Sequence, residues 1–306
     1  MKIREIRPYY RKIPLKKPYT ISSETFSDVE LVFVELELEN GIIGHGSGFP
    51  GMPGTQAALD LALHDAFCQY LGVPIVSFYG QCMEPLPTSV TIGIMPVEEA
   101  LKEAVEFVSM GFRALKIKTG GGETAQDVEL LLRLRETVGK DIRLRIDPNQ
   151  GYNAQQLVQI YENCDVELIE QPLPVGSEHL LIKLPPLLRD ILVADESLTG
   201  PETALPLTQY PRPFGIFNIK LMKCGGILAA REIAGIAEQA GISLFWGCND
   251  ESSLSITAAL HAAYSCPNTR YLDLDGSFDL AEDLSSGGFE LRDGKMLVTG
   301  RYEKTL

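Results

Sequence analysis

Apolar and polar residues alternate through the first 48 positions. The stretch LVFVELELENGIIGHG reads as strand, Asn40-Gly41 turn and strand, the pattern of an antiparallel hairpin. A Pro/Gly link, GFPGMPG at 48–54, leads into one helical run, TQAALDLALHDAFCQYLG, which Gly72 ends. From about residue 87 the pattern becomes strand, loop and helix, repeated. Strand-like runs fall at 88–94, 112–118, 141–147, 166–170, 191–195, 214–220, 242–246 and 270–273, with helical patterns between most of them. In ETAQDVELLLRLRETVG, Val128, Leu131, Leu134 and Val138 recur at helical spacing and Gly139 closes the helix. Eight strands separated by helices predict a parallel (β/α) barrel. An open dinucleotide-binding sheet fits less well, since no G-x-G-x-x-G opens the first unit.

Charged residues fall inside these strands at regular places. The period of two puts Ala114, Lys116 and Lys118 on one face and Leu115 and Ile117 on the other, so the lysines are expected to point inward. In DIRLRIDPNQ the same rule turns Arg143, Arg145 and Asp147 inward. The runs VELIE and ILVAD end at Glu170 and Asp195, and FNIKLMK carries Lys220. Positions 118, 147, 170, 195 and 220 are each about one βα unit apart, so they mark one height, the C-terminal rim where active sites of this architecture lie.

Burying these charges without partners would be costly. Lysine–carboxylate ion pairs would explain them in pairs, but three carboxylates on adjacent strands also form an oxygen donor set of the kind Mg²⁺ prefers. Lys118 and Lys220 belong to strands four apart in a ring of eight and so face each other. A carboxylate substrate between them would present its α-carbon to an amine on each side, which suits removal of the α-proton from one face and its return on the other. Lys118 is read as the base and Lys116 as its helper. Nearby Lys116, Lys223 and a metal ion are expected to draw the amine pKa toward neutrality.

The segments KIK, DPNQ, IEQP, ADES and NIKLMKCGGI resemble the muconate-lactonizing (mandelate racemase/muconate lactonizing enzyme) subgroup of the enolase superfamily, over essentially the whole chain. The resemblance implies a (β/α)7β barrel with an α+β capping domain made from both chain ends. On that pattern residues 1–86 are a shortened cap, 87–275 the barrel and 276–306 a segment returning to the cap. It also implies Lys118 and Lys220 as the acid/base pair and Asp147, Glu170 and Asp195 as ligands of one Mg²⁺ per subunit. YLDLDG is similar to the D-x-D of dipeptide epimerases, whose two aspartates hold the substrate ammonium, a role that Asp273 and Asp275 would carry. The implied activity is Mg²⁺-dependent inversion of the α-carbon of a dipeptide's C-terminal residue through an enediolate. Family analogy adds a homo-oligomer.

Alignment on that pattern places Glu24 on the capping loop, where Ala-Glu epimerases present an arginine, and Cys248 and Asp250 of GCNDES beside the pocket with Lys116. Two acids there suit a basic or polar substrate side chain better than an acidic one. The chain departs from the family between the hairpin and the helix at 55–71, where about three average helices, on the order of 40 residues, have no counterpart. A thinner cap excludes water less well. The tail VTGRYEKTL also lacks the family's glycine-rich ending.

Other readings keep part of this picture. A cycloisomerase, o-succinylbenzoate synthase or N-acylamino acid racemase would share the lysines and carboxylates, but the D-x-D argues against them. A class I aldolase would use Lys220 as a Schiff-base lysine, and a non-catalytic binding protein would have lost its cap.

Composition narrows the classes further. A formal charge of −14 over 306 residues, with no basic run beyond Lys16-Lys17, argues against nucleic acid as a partner. No apolar stretch reaches membrane-span length and MKIREIRPYY lacks a signal-peptide core, so a cytoplasmic location is expected. The six cysteines are scattered without C-x-x-C pairs and are read as reduced. Gly120–Gly122 lack a phosphate-loop signature and read as a flexible strand-to-helix connection. His64 and His261 read as packed or solvated helix residues, and Trp246 as either pocket wall or barrel filling.

Overall fold

The computed structural model describes residues 2–304. Strands β1 (Ile3–Thr20), β2 (Thr25–Leu38) and β3 (Ile43–Gly48) form an antiparallel sheet in that order. The Asn40-Gly41 turn joins β2 to β3, with Glu37 opposite Ile43 and Gly41 at φ 86°. The run LVFV in β2 is apolar on both sides because both sides are covered. Val32, Val34, Leu36 and Leu38 pack on Ala58, Ala62 and Ala66 of the helix Gly54–Leu71. Leu31 and Phe33 face the other way, onto Ile13, Leu15, Leu280 and Leu284. Sheet and helix touch through glycine: a β-carbon on Gly46 would overlap the Ala58 carbonyl oxygen. Only residues 49–53 join β3 to that helix, as the short Pro/Gly link requires.

The eight parallel strands of the barrel are β4 (Ser89–Ile92), β5 (Ala114–Lys118), β6 (Arg143–Asp147), β7 (Leu168–Glu170), β8 (Leu192–Ala194), β9 (Ile216–Ile219), β10 (Ser243–Gly247) and β11 (Thr269–Asp273). They are hydrogen-bonded in sequence order, and a parallel bridge from Thr88 to Leu272 closes the ring. Each lies within its expected run or within a residue of it. Leu115, Ile117, Leu144 and Ile146 join the shell of packing against the helices, while Lys116, Lys118, Arg145 and Asp147 are buried on the inner side. Arg143 is a correction: it opens β6 at the N-terminal mouth, where its side chain is exposed and reaches Glu167 at 3.8 Å. Arg145 lies between the rings of Phe245 and Tyr271, 5.3 Å from each, with its Nε donating to Glu167 at 2.8 Å.

The chain after the barrel first returns to the cap sheet, with Lys16 and Ala281 donating backbone bonds to Asp279 and Pro14. It then forms a hairpin, β12 (Ser285–Arg292) and β13 (Lys295–Lys304), which packs on the helix Ser253–Tyr264 and bridges Pro87. Gly120 has φ 79°, and a β-carbon there would be 2.9 Å from Pro148, so the β5 and β6 loops meet over it. Trp246 is fully buried and donates to Thr269 at 2.9 Å; it packs in the shell between strands and helices, while Phe245 beside it fills the barrel with Leu168, Val193 and Ile216. Among the described residues no helix is long and apolar enough to cross a membrane.

Candidate active site

The inner face of each strand delivers its last polar side chain to one place. Lys116, Lys118, Lys220, Cys248, Asp250, Asp273 and Asp275 all line a single cavity of about 300 Å³ at the C-terminal end of the barrel, roofed by Tyr19, Phe26, Asp28 and Glu30 from the cap sheet. Behind the lysines lie Asp147, Glu170 and Asp195, each at most 2% exposed. Lys118 Nζ donates to Asp147 Oδ2 at 2.6 Å and to Asn149 Oδ1 at 2.8 Å. Four strands further round, Lys220 Nζ donates to Asp195 Oδ2 at 2.9 Å and to Asn249 Oδ1 at 3.3 Å. Lys116 lies between them, paired with Asp273 and 3.4 Å from Glu170 Oε2. Lys223 also pairs with Asp195, and Asn218 Nδ2 donates to Glu170 Oε1 at 2.7 Å.

These ion pairs set the protonation states. Burial alone would pull the Lys220 amine down, but the charges of Asp195 and Glu170 outweigh it and hold the amine above its usual range. Lys116 is raised in the same way, chiefly by Asp273 against the cost of burial. Burial would raise Asp195, yet Lys220 and Lys223 drive it well below the carboxylate range. Glu170 is pushed up to about 8, first by burial and then by the charge of Asp147. Asp275 rises to about 7 through burial and Asp273, and Asp250 to about 6 through burial and Asp275. Burial holds the Cys248 thiol well up, which makes it a wall rather than a nucleophile.

As the side chains lie, no three acid, imidazole or thiol groups among the described residues converge closely enough to hold one ion. Each carboxylate is turned to an ammonium instead. The donor set itself suits a hard cation: three carboxylates on successive strands, with Glu170 lifted by burial and then by the charge of Asp147. A divalent ion would relieve that repulsion.

Glu24 is the second correction. It is exposed at the turn between β1 and β2 and does not line the cavity, because the roof is formed further along β2 by Phe26, Asp28 and Glu30. Asp28 also pairs with Lys12 at 3.1 Å. Sequence reading also missed Tyr19, Thr91, Asn249 and Asp279 of the lining, and Asn218 behind it. Asn218 is two residues before Lys220, so the alternation that found the lysine also points to it.

Residues 99–301 match the sequence profile of the Enolase C-terminal domain-like family. The chain belongs to the enolase superfamily. An L-Lys-D/L-Arg epimerase from Methylococcus capsulatus is 44% identical over 348 aligned positions, covering 98% of this chain and 98% of that protein. Another, from Desulforapulum autotrophicum, is 45% identical over 345 positions, covering 98% and 97%. A crystal structure of the dipeptide epimerase from Methylococcus capsulatus, complexed with Mg and the dipeptide L-Arg-D-Lys, superposes with a TM-score of 0.95 at 44% identity. That match covers 99% of this chain and 98% of the other. The alignment with the Methylococcus capsulatus protein runs to 348 positions against 306 residues here, so it carries gaps in this chain.

Proposed function

We propose that this chain is a Mg²⁺-dependent dipeptide epimerase that inverts the α-carbon of the C-terminal residue, acting on dipeptides with cationic side chains. One observation carries the chemistry. Lys118 and Lys220 end strands four apart in an eight-strand ring, each rests on its own carboxylate, and both open into the same cavity. Lys118 takes the α-proton from one face and Lys220, kept protonated beside Asp195, gives one to the other. In the reverse direction the roles exchange. Asp147, Glu170 and Asp195 would hold Mg²⁺, which would supply positive charge beside the substrate carboxylate and so ease loss of the α-proton. Asp273 and Asp275 hold the N-terminal ammonium, with Lys116 fixing Asp273 and Thr91 N–H donating to Asp275 Oδ2 at 2.7 Å.

The preference for cationic side chains has two supports. Six carboxylates line the cavity, Asp28, Glu30, Asp250, Asp273, Asp275 and Asp279, against three lysines. The 44–45% identical relatives are epimerases of Lys-Arg dipeptides. A homo-oligomer would cover the apolar side chains of Leu63, Tyr70, Leu71 and Phe78, exposed on and beside the cap helix. The six unpaired cysteines are in keeping with a cytoplasmic location. Incubating the protein with dipeptide mixtures in D₂O and Mg²⁺ tests the reading by mass spectrometry. Lys- and Arg-containing dipeptides are expected to gain one deuterium; a preference for Ala-Glu would overturn the cationic assignment.

A further inference from the structure

Each of the two lysines that open into the catalytic cavity from opposite sides of the ring takes an asparagine from the strand that follows its own. Lys118 of β5 donates to Asn149, just past β6, and Lys220 of β9 donates to Asn249, just past β10. Asn149 is anchored by its own strand, since its N–H donates to Asp147 Oδ1 at 2.9 Å. The same place on β10 is Gly247, where a β-carbon would lie 2.5 Å from Asn218 Oδ1 and push that side chain off Glu170. The Asn249 N–H turns forward instead and donates to Glu251 Oε1 at 3.1 Å. Asn249 is part of the cavity wall, and Glu251 is buried behind it. Burial pushes the Glu251 carboxyl up to about 7, against the Asn249 N–H, the charge of Lys220 and the Ser255 hydroxyl, which all favour the carboxylate. Ser255 in turn reaches Ser47 of the cap strand β3 at 2.7 Å.

We propose that Glu251 is a positioning residue for Lys220: it fixes the backbone of Asn249, and Asn249 Oδ1 then aims the Lys220 ammonium at one face of the substrate. The inference rests on the two-lysine epimerase reading of the catalytic cavity. Lys220 needs this second partner because Asp195, its first, is shared with Lys223. A hydrogen-bonded acceptor at a fixed place narrows the range of positions that the long, flexible lysine stem can take. Lys118 receives the same service from Asn149 without Glu251, through Asp147. Loss of Glu251 therefore disturbs proton transfer on the Lys220 face and spares the other.

Glu251→Met keeps the volume and removes the acceptor, Glu251→Gln keeps an acceptor oxygen, and Asn249→Ala removes the group through which Glu251 acts. Deuterium incorporation at the C-terminal α-carbon of L-Lys-L-Arg and of L-Lys-D-Arg, in D₂O with Mg²⁺, gives kcat and KM for each diastereomer. Glu251→Met is expected to lower kcat about tenfold for the diastereomer that Lys220→Ala fails to exchange and less than about twofold for the other, with KM little changed. Asn249→Ala gives the same one-sided loss, and Glu251→Gln recovers most of the rate. Glu251→Ala serves the same comparison should methionine not fold there. Equal losses on both diastereomers, or glutamine as damaging as methionine, would overturn the positioning role while leaving the epimerase reading intact. No exchange of either diastereomer by the wild type would overturn both.

Discussion

His261 ties the barrel to two outlying segments, and its replacement by glutamine gives a quantitative test of how burial sets its charge. Its Nδ1 accepts the Val76 N–H at 3.1 Å and its Nε2 lies 3.1 Å from the Gly300 carbonyl. Both bonds require a neutral ring with its hydrogen on Nε2. Burial pulls its pKa from 6.5 to about 4. The unfolded chain therefore binds the extra proton between those two values, so the stabilisation is complete above pH 6.5 and falls as pH drops toward 4. A shift of that size corresponds to about 3 kcal/mol in all, of which about 2 kcal/mol is lost by pH 5. Glutamine can accept from Val76 and donate to Gly300 without titrating. Urea unfolding at pH 7.5 and pH 5 should show wild type losing about 2 kcal/mol more than His261→Gln across that interval. Parallel losses in the two proteins would refute the reasoning.

Four further outcomes follow from the packing and the site. Gly46→Ala drives a methyl into the Ala58 carbonyl and should cost at least about 2 kcal/mol, read as a lower urea midpoint, because helix and sheet must separate. Removal of divalent ions with EDTA should abolish deuterium exchange, and Mg²⁺ should restore it; exchange that survives chelation would contradict a metal-assisted proton transfer. Asp275→Asn should raise KM for dipeptides about tenfold with little loss of stability, since no lysine pairs with it. Asp273→Asn should also destabilise the fold by about 3 kcal/mol, because Lys116 is left buried without its closest partner; thermal unfolding of the two variants separates the effects.

The barrel was legible because each strand announces itself twice, by an apolar outer face and by a polar residue at its inner end. That double pattern places Lys118, Asp147, Glu170, Asp195 and Lys220 at one height, with Lys116 one step deeper on the same face. Arg143 broke the rule because inward alternation carries no information about where a strand begins, and the first residue of β6 is already at the solvent edge. The cap was harder. Which acid of β2 overhangs the cavity depends on the pairing register with β1, which shifts between Pro14 and Tyr19, and nothing in the local sequence reports that shift. Glu24 therefore was the acid expected, whereas Asp28 and Glu30 roof the site. The asparagines at 149, 218 and 249 carry no charge to mark them in the sequence, although each hydrogen-bonds a lysine or a carboxylate.

The central claim is that Lys118 and Lys220 work on opposite faces of one α-carbon. Its most direct test uses Lys118→Ala and Lys220→Ala, each given the L,L and L,D forms of a Lys-Arg dipeptide in D₂O with Mg²⁺, and follows both exchange and configuration. Each variant should lose epimerisation, yet still exchange the α-proton of one diastereomer, with the two variants choosing opposite diastereomers. Exchange of the same diastereomer by both variants, or retained epimerisation in either, would contradict the account.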